Sequence, residues 1–240
     1  MSVFSRLADI LVEGVNNAVA ATIERVRTVF EGDPETRARV AFSVAMIALS
    51  AKMAKADGIV TPDEVEAFQQ IFEIPENEAP RVARLYNLAK QDTAGYEVYA
   101  RQLAGLCNGT ASGCTAHTDI LDGLFHIAKA DGVLHEKELV FLGDIATIFG
   151  VDAGQFEAIK ARHVAFDRNS PWTILGLTPD ADASEARAHY LQLVRQNHPD
   201  QMIARGVPAE FVRIADERLA AINTAWEAVE PLLNRQTEAS

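Results

Sequence analysis

The sequence predicts an all-α fold, and three observations carry the prediction. Apolar residues recur at three- and four-residue steps through long stretches, the period of one helix face. Glycine and proline interrupt those stretches, as at Glu31-Gly32-Asp33-Pro34 and Gly150, because neither continues a helix cheaply. One helix–turn–helix unit also occurs twice, at Lys55-Ala56-Asp57-Gly58-Ile59-Val60 and Lys129-Ala130-Asp131-Gly132-Val133-Leu134, with Asp57 and Asp131 74 positions apart. Two such copies facing each other can close a core.

Composition narrows the class. The chain has 240 residues, 48% of them hydrophobic and 23% charged, enough for one or two soluble globular domains. A net charge of −12 argues against general nucleic-acid binding, which needs cations to replace counterions at phosphates. Cys107 and Cys114 flank six Gly/Ser/Thr-rich residues, and no second pair exists to complete a four-ligand zinc site. They read as thiols in a reducing cytosol, with a disulfide across the loop as the alternative. The start of the chain has no secretory pattern. Its longest uncharged piece, Gly14 to Ile23, is too short to span a bilayer, so no transmembrane helix is expected and the localisation expected is cytoplasmic.

Residues 1–31 form the first expected element, an amphipathic helix with Val3, Phe4, Leu7, Ile10, Leu11 and Val15 along one side. It would pack on the next domain or on a second copy of the chain, giving a homodimer. Peripheral membrane contact is the alternative, although surface-bound helices favour Lys and Arg and here acids balance the bases.

The second region, residues 32–165, opens with an apolar, Ala-rich helix from Glu35 to Ala56. Helices follow at about Asn77–Asp92 and Gly95–Leu106. After the second copy of the turn, Val140 to Phe149 is a helix stopped by Gly150, and Asp152 to Arg162 closes the domain. A short linker ends at Ser170-Pro171, a cap with proline at the first helical position. The third region, 170–236, has helical runs from Ser184 to Asn197 and from Ala209 to Val229. Leu175, Leu177, Tyr190, Leu193, Val194, Phe211, Ala215, Leu219 and Ile222 would face each other there, with Trp172 over one end.

Two constellations could carry function. Asp57/Glu64 and Asp131/Glu138 would meet if the duplication is a pseudo-two-fold, and four carboxylates suit a hard divalent cation. Capping accounts for them better. Gly58 and Gly132 can take the left-handed turn that ends a helix, and Thr61-Pro62-Asp63-Glu64 reads as a capping box. The spacing also lacks the alternating acids of a calcium loop. His117, His126 and His135 form no ligand pair at helical spacing, and no phosphate loop or nucleophile–base set occurs, so the chain does not read as an enzyme.

The other constellation is His198-Pro199-Asp200 between the two helices of the third region. With Trp172-Thr173-Ile174-Leu175-Gly176-Leu177 upstream and Ala221-Ile222-Asn223-Thr224-Ala225-Trp226 downstream, it resembles the J domain of the DnaJ family. The repeated Ala-Asp-Gly with a Glu seven residues after the Asp, over about Arg37 to His163, resembles the TerB domain named for tellurite-resistance proteins. That order of domains is similar to the DjlA-type co-chaperones. The resemblance implies that His198, Pro199 and Asp200, with Arg187 and Arg195 on the preceding helix, engage a DnaK-type chaperone ATPase and stimulate its ATP hydrolysis and client capture. It also implies targeting or regulation by the TerB-like domain; no cofactor is expected, although the TerB resemblance keeps a divalent metal at Asp57, Glu64, Asp131 and Glu138 open. The alternative is a metal-responsive, TerB-type stress module with an accessory J domain. This chain departs from the J-domain pattern at Leu191, Gln192 and Gln201, where basic residues are usual. From Ser170 onward it carries six Arg against ten Asp and Glu, a net −4, so any electrostatic steering is local to one helix. No Gly/Phe-rich stretch or cysteine repeat offers a seat for clients.

Overall fold

A computed structural model describes residues 46–54, 95–106, 115–164, 171–204 and 211–238. The expected helices at 1–31 and 77–92, the first turn with Asp57 and Glu64, and both cysteines lie outside the described residues. Among the described residues every regular element is a helix and none is a strand, so the fold is all-α. After helical residues 46–54 come α1 (Tyr96–Leu106), α2 (Thr115–Ala128), α3 (Glu136–Phe149), α4 (Ala153–His163), α5 (Pro171–Leu175), α6 (Ala183–Gln196), α7 (Pro199–Ala204) and α8 (Val212–Glu238). No helix among them is long and apolar enough to cross a membrane. Packing divides the chain into two units, residues 1–151 with 205–211, and residues 152–204 with 212–240.

In the first unit, residues 46–54 are buried on every side, including Ser50 and Lys52. The Ser50 hydroxyl donates back to the Met46 and Ile47 carbonyls, which satisfies a hydroxyl inside a helix. The Lys52 ammonium lies 5.0 Å from the centre of the buried Tyr99 ring, a cation–π contact that offsets part of the cost of burying charge. Gly123 of α2 allows a close approach. A Cβ there would come within 2.8 Å of the Phe211 ring and 2.9 Å of the Met46 methyl. α1 and α3 meet where the Tyr96 hydroxyl donates to Asp144 at 2.6 Å and its ring packs on Phe141. Donation to that carboxylate pushes the Tyr96 phenol up to about 12. α3 ends at Gly150, whose φ of +71° is left-handed backbone. There Gly150 and Val151 N–H donate to the Thr147 and Ala146 carbonyls, the Schellman pattern.

The second unit begins with Asp152, which caps α4 by accepting the Gln155 N–H at 2.9 Å. By packing α4 sits with this unit, because Ala161 shares a core with Ile174, Leu175, Ala186, Ile222 and Trp226. Pro171 starts α5, and Gly176 at φ +66° ends it. A ring nitrogen of His189 lies 2.9 Å from the Leu175 carbonyl and ties α6 to that end. Across the core Tyr190 of α6 stacks on Trp226 of α8, with centroids 4.6 Å apart and planes 7° off parallel, while its hydroxyl donates to Asn223.

Two features differ from the sequence expectation. Phe211, expected opposite α6, is buried in the first unit beside Gly123. Amphipathic spacing marks a residue as buried without saying in which core. α8, expected to stop at Val229, runs to Glu238 through Pro231. Leu233 lies buried in the same core as Val229 and draws the chain on past the proline.

Trp226 is the largest side chain in the second core and stacks on Tyr190. Trp226→Ala should therefore destabilise that unit by about 3–5 kcal/mol, the range for emptying a large aromatic site, as read by denaturant unfolding.

Candidate functional site

The site is built where α6 stops. Asp182 caps the start of α6 by accepting the Ser184 and Glu185 N–H groups at 2.9 and 3.0 Å. Fourteen residues later the helix ends for two reasons. Asn197 turns its side chain back, donating from Nδ2 to the Leu193 carbonyl at 2.7 Å. His198 precedes a proline, whose ring disfavours helical backbone at the residue before it. Arg218 of α8, almost wholly buried, donates from Nη1 to Asn197 Oδ1 at 3.0 Å and so fixes the end of α6 against α8.

His198 is the one member of the tripeptide that lies between helices. Pro199 and Asp200 open the six-residue α7, because proline's fixed φ and missing N–H suit the first helical position. The His198 carbonyl accepts the Gln201 and Met202 N–H groups at 2.9 and 3.3 Å, and Met202 buries its side chain. The Asp200 N–H donates to His198 Nδ1 at 3.2 Å. A backbone N–H can only donate, so Nδ1 is the acceptor and the ring proton sits on Nε2. His198 Nδ1 is also 3.5 Å from Asp200 Oδ2, and the two side chains are 49% and 84% exposed. The arrangement presents an imidazole N–H and a carboxylate to solvent side by side, on a backbone pinned from within. The pair offers an outside group one hydrogen-bond donor and one charged acceptor.

Arg187 and Arg195 are both exposed on α6, with Leu191 between them. Arg195 sits one turn before His198, and its carbonyl accepts the His198 N–H at 3.5 Å. Arg187 Nη1 donates to Glu230 Oε1 of α8 at 3.4 Å.

The second turn of the duplicated unit is also visible. α2 ends at Ala128, and Gly132 adopts φ +85°, where a side chain would be strained. Asp131 Oδ1 accepts the Val133 N–H at 2.9 Å, and the deeply buried Glu138 accepts the His135 N–H at 2.9 Å. Both carboxylates thus serve backbone donors, the capping role. Asp57 and Glu64 lie outside the described residues, so the four acids are not seen together. Among the described residues no three His, Cys, Asp or Glu side chains cluster as metal ligands would.

The sequence reading passed over Asn197, Met202 and Arg218, the residues that hold the tripeptide in place. One signal was available for Arg218: it occupies a position on the apolar stripe of α8 marked by Ile214, Ile222, Ala225 and Val229.

Residues 43–161 match the family described as "Tellurite resistance protein TerB". The co-chaperone protein DjlA of Coxiella burnetii is 26% identical over 197 residues, covering 74% of this chain and 72% of that protein. The DjlA co-chaperones of Photobacterium profundum and Legionella pneumophila are 25% and 24% identical, covering 78% and 79% of this chain and 76% of each relative. No solved structure matches the chain significantly. Residues 43–161 are thus similar to the TerB family, in a chain similar over about three quarters of its length to the DjlA co-chaperones.

Proposed function

We propose that this chain is a co-chaperone that docks on a DnaK-type ATPase through His198, Pro199 and Asp200, with Arg187 and Arg195 of α6 flanking them, and stimulates ATP hydrolysis and client capture. The observation that carries this reading is the exposed His198/Asp200 pair, held by backbone hydrogen bonds at the end of a capped helix. A surface that recognises a partner benefits from such pre-organisation, since little ordering entropy is left to lose on binding. The J region would span 170–236 and the TerB-like region 32–165, the latter giving targeting or regulation. No covalent step falls to this chain. Its effect is a coupling free energy: it binds one conformation of the partner better than another and shifts that equilibrium toward hydrolysis. Pro199 sets the backbone, Asp200 offers a charge-assisted acceptor, and His198 both closes the turn through Nδ1 and offers Nε2–H outward.

The family name of the matched domain favours a second reading, a metal-responsive stress module in which the TerB domain is the principal actor. It requires a cation at Asp57, Glu64, Asp131 and Glu138, whereas capping requires none.

Single-turnover ATP hydrolysis by a DnaK-type chaperone, with and without this protein, tests the first reading. His198→Gln or Asp200→Asn should reduce stimulation to the rate of the chaperone alone, while circular dichroism and melting stay near wild type. A variant that stimulates normally removes the site.

Arg187→Ala and Arg195→Ala should weaken stimulation most at low ionic strength, because exposed charges act through a screened field. Wild-type stimulation that does not change between low and physiological salt contradicts electrostatic docking.

Asp131→Ala should cost about 0.5–2 kcal/mol, the range for a lost helix cap, equally in chelator and in millimolar calcium, magnesium or manganese. A rise in the wild-type melting temperature with any of these ions, absent in the variant, establishes the metal reading instead.

A further inference from the structure

The outer face of α6 carries two cations, and they are not in the same state. The Arg195 side chain makes no ion pair with any described residue. Arg187, 67% exposed, is engaged by Glu230 of α8 at 3.4 Å, and Glu230 is 40% exposed. A guanidinium in contact with a carboxylate of its own chain has less to offer a carboxylate of another. Exposed pairs of this kind are worth little, so the contact can be displaced but not without cost. Leu191, also exposed, stands between the two arginines and supplies no charge to compensate.

We propose that Glu230 is an intramolecular competitor for Arg187 and so sets how strongly this chain docks on its ATPase partner. This rests on α6 being the docking helix. Glu230 acts through Arg187 and is not itself a contact residue. Docking on acidic groups of a partner requires Arg187 to leave Glu230. That requirement weakens docking, and it vanishes when Glu230 loses its charge.

A charge control separates release of Arg187 from a general change in field. Glu227 is an exposed acid of the same helix, three residues before Glu230, and makes no ion pair with any described residue. The half-saturating concentration of the full-length chain is measured in the single-turnover ATPase assay at low ionic strength. Glu230→Gln should lower it about 1.4- to fivefold, the span of an exposed ion pair, and Glu227→Gln should lower it less. In an Arg187→Ala background Glu230→Gln should have no further effect. Raising the salt should erase the difference between Glu230→Gln and wild type. Glu230→Gln that equals Glu227→Gln, that weakens docking, or that still acts without Arg187 overturns the competition. The weakening result would make Glu230 a positioning residue for the guanidinium. If wild type and His198→Gln stimulate alike, the docking site itself is wrong and this inference falls with it. Wild type that stimulates while His198→Gln does not leaves the docking site standing, whatever Glu230 does.

Discussion

The end of α6 is held by a hydrogen bond between a buried cation and a side-chain amide. A guanidinium taken out of water costs free energy that only satisfied donors recover, and the Asn197 carbonyl oxygen is one acceptor Arg218 uses, at 3.0 Å. The same amide donates backward to Leu193, so one residue closes its own helix and receives the second. Everything the candidate site presents follows from that junction. His198 leaves α6 in a direction the cap dictates, its carbonyl starts α7, and its ring accepts the Asp200 N–H. The chemistry faces solvent while the geometry is settled inside.

The two units are stabilised in different ways. In the first, small residues and a glycine let helices approach closely, and polar side chains are buried among them, including Ser50, Lys52, Asp119, Asp122 and Glu138. Those whose bonds are described turn to their own backbone or to a ring face. In the second, a long helix presents a conventional apolar stripe, and one aromatic stack, Tyr190 on Trp226, joins α6 to it. A surface built at the end of α6 therefore depends on a core assembled mostly from α8.

Much of this was legible in the sequence because it is local. Period-3.6 spacing gives the helices, glycines that need positive φ mark the turns at Gly132 and Gly150, and Pro171 marks the start of α5. Asp131 and Glu138 could be read as caps because a cap and the donors it serves lie within a few residues. The tripeptide stood out through its flanks. What escaped was pairing at long separation. Arg218 lies 21 residues from Asn197 and Glu230 lies 43 from Arg187, and no local pattern links either pair. Phe211 escaped for a related reason: an apolar residue beside a boundary can serve either core, and only packing decides. α8 outran its proline because buried Leu233 outweighs what a periodicity rule assigns to Pro231.

The shortness of α7 has a kinetic consequence. Six residues are fewer than a helix needs to persist in water, since nucleation fixes several residues before propagation repays the cost. Its order is therefore borrowed, chiefly from the buried Met202 and from the His198 carbonyl at its start. His198, by contrast, follows a capped fourteen-residue helix. The amide hydrogens of α7 should therefore open to exchange more often than those of α6. In the proposed docking, a partner would meet an imidazole at the end of a capped helix and a carboxylate whose short helix it would help to keep folded.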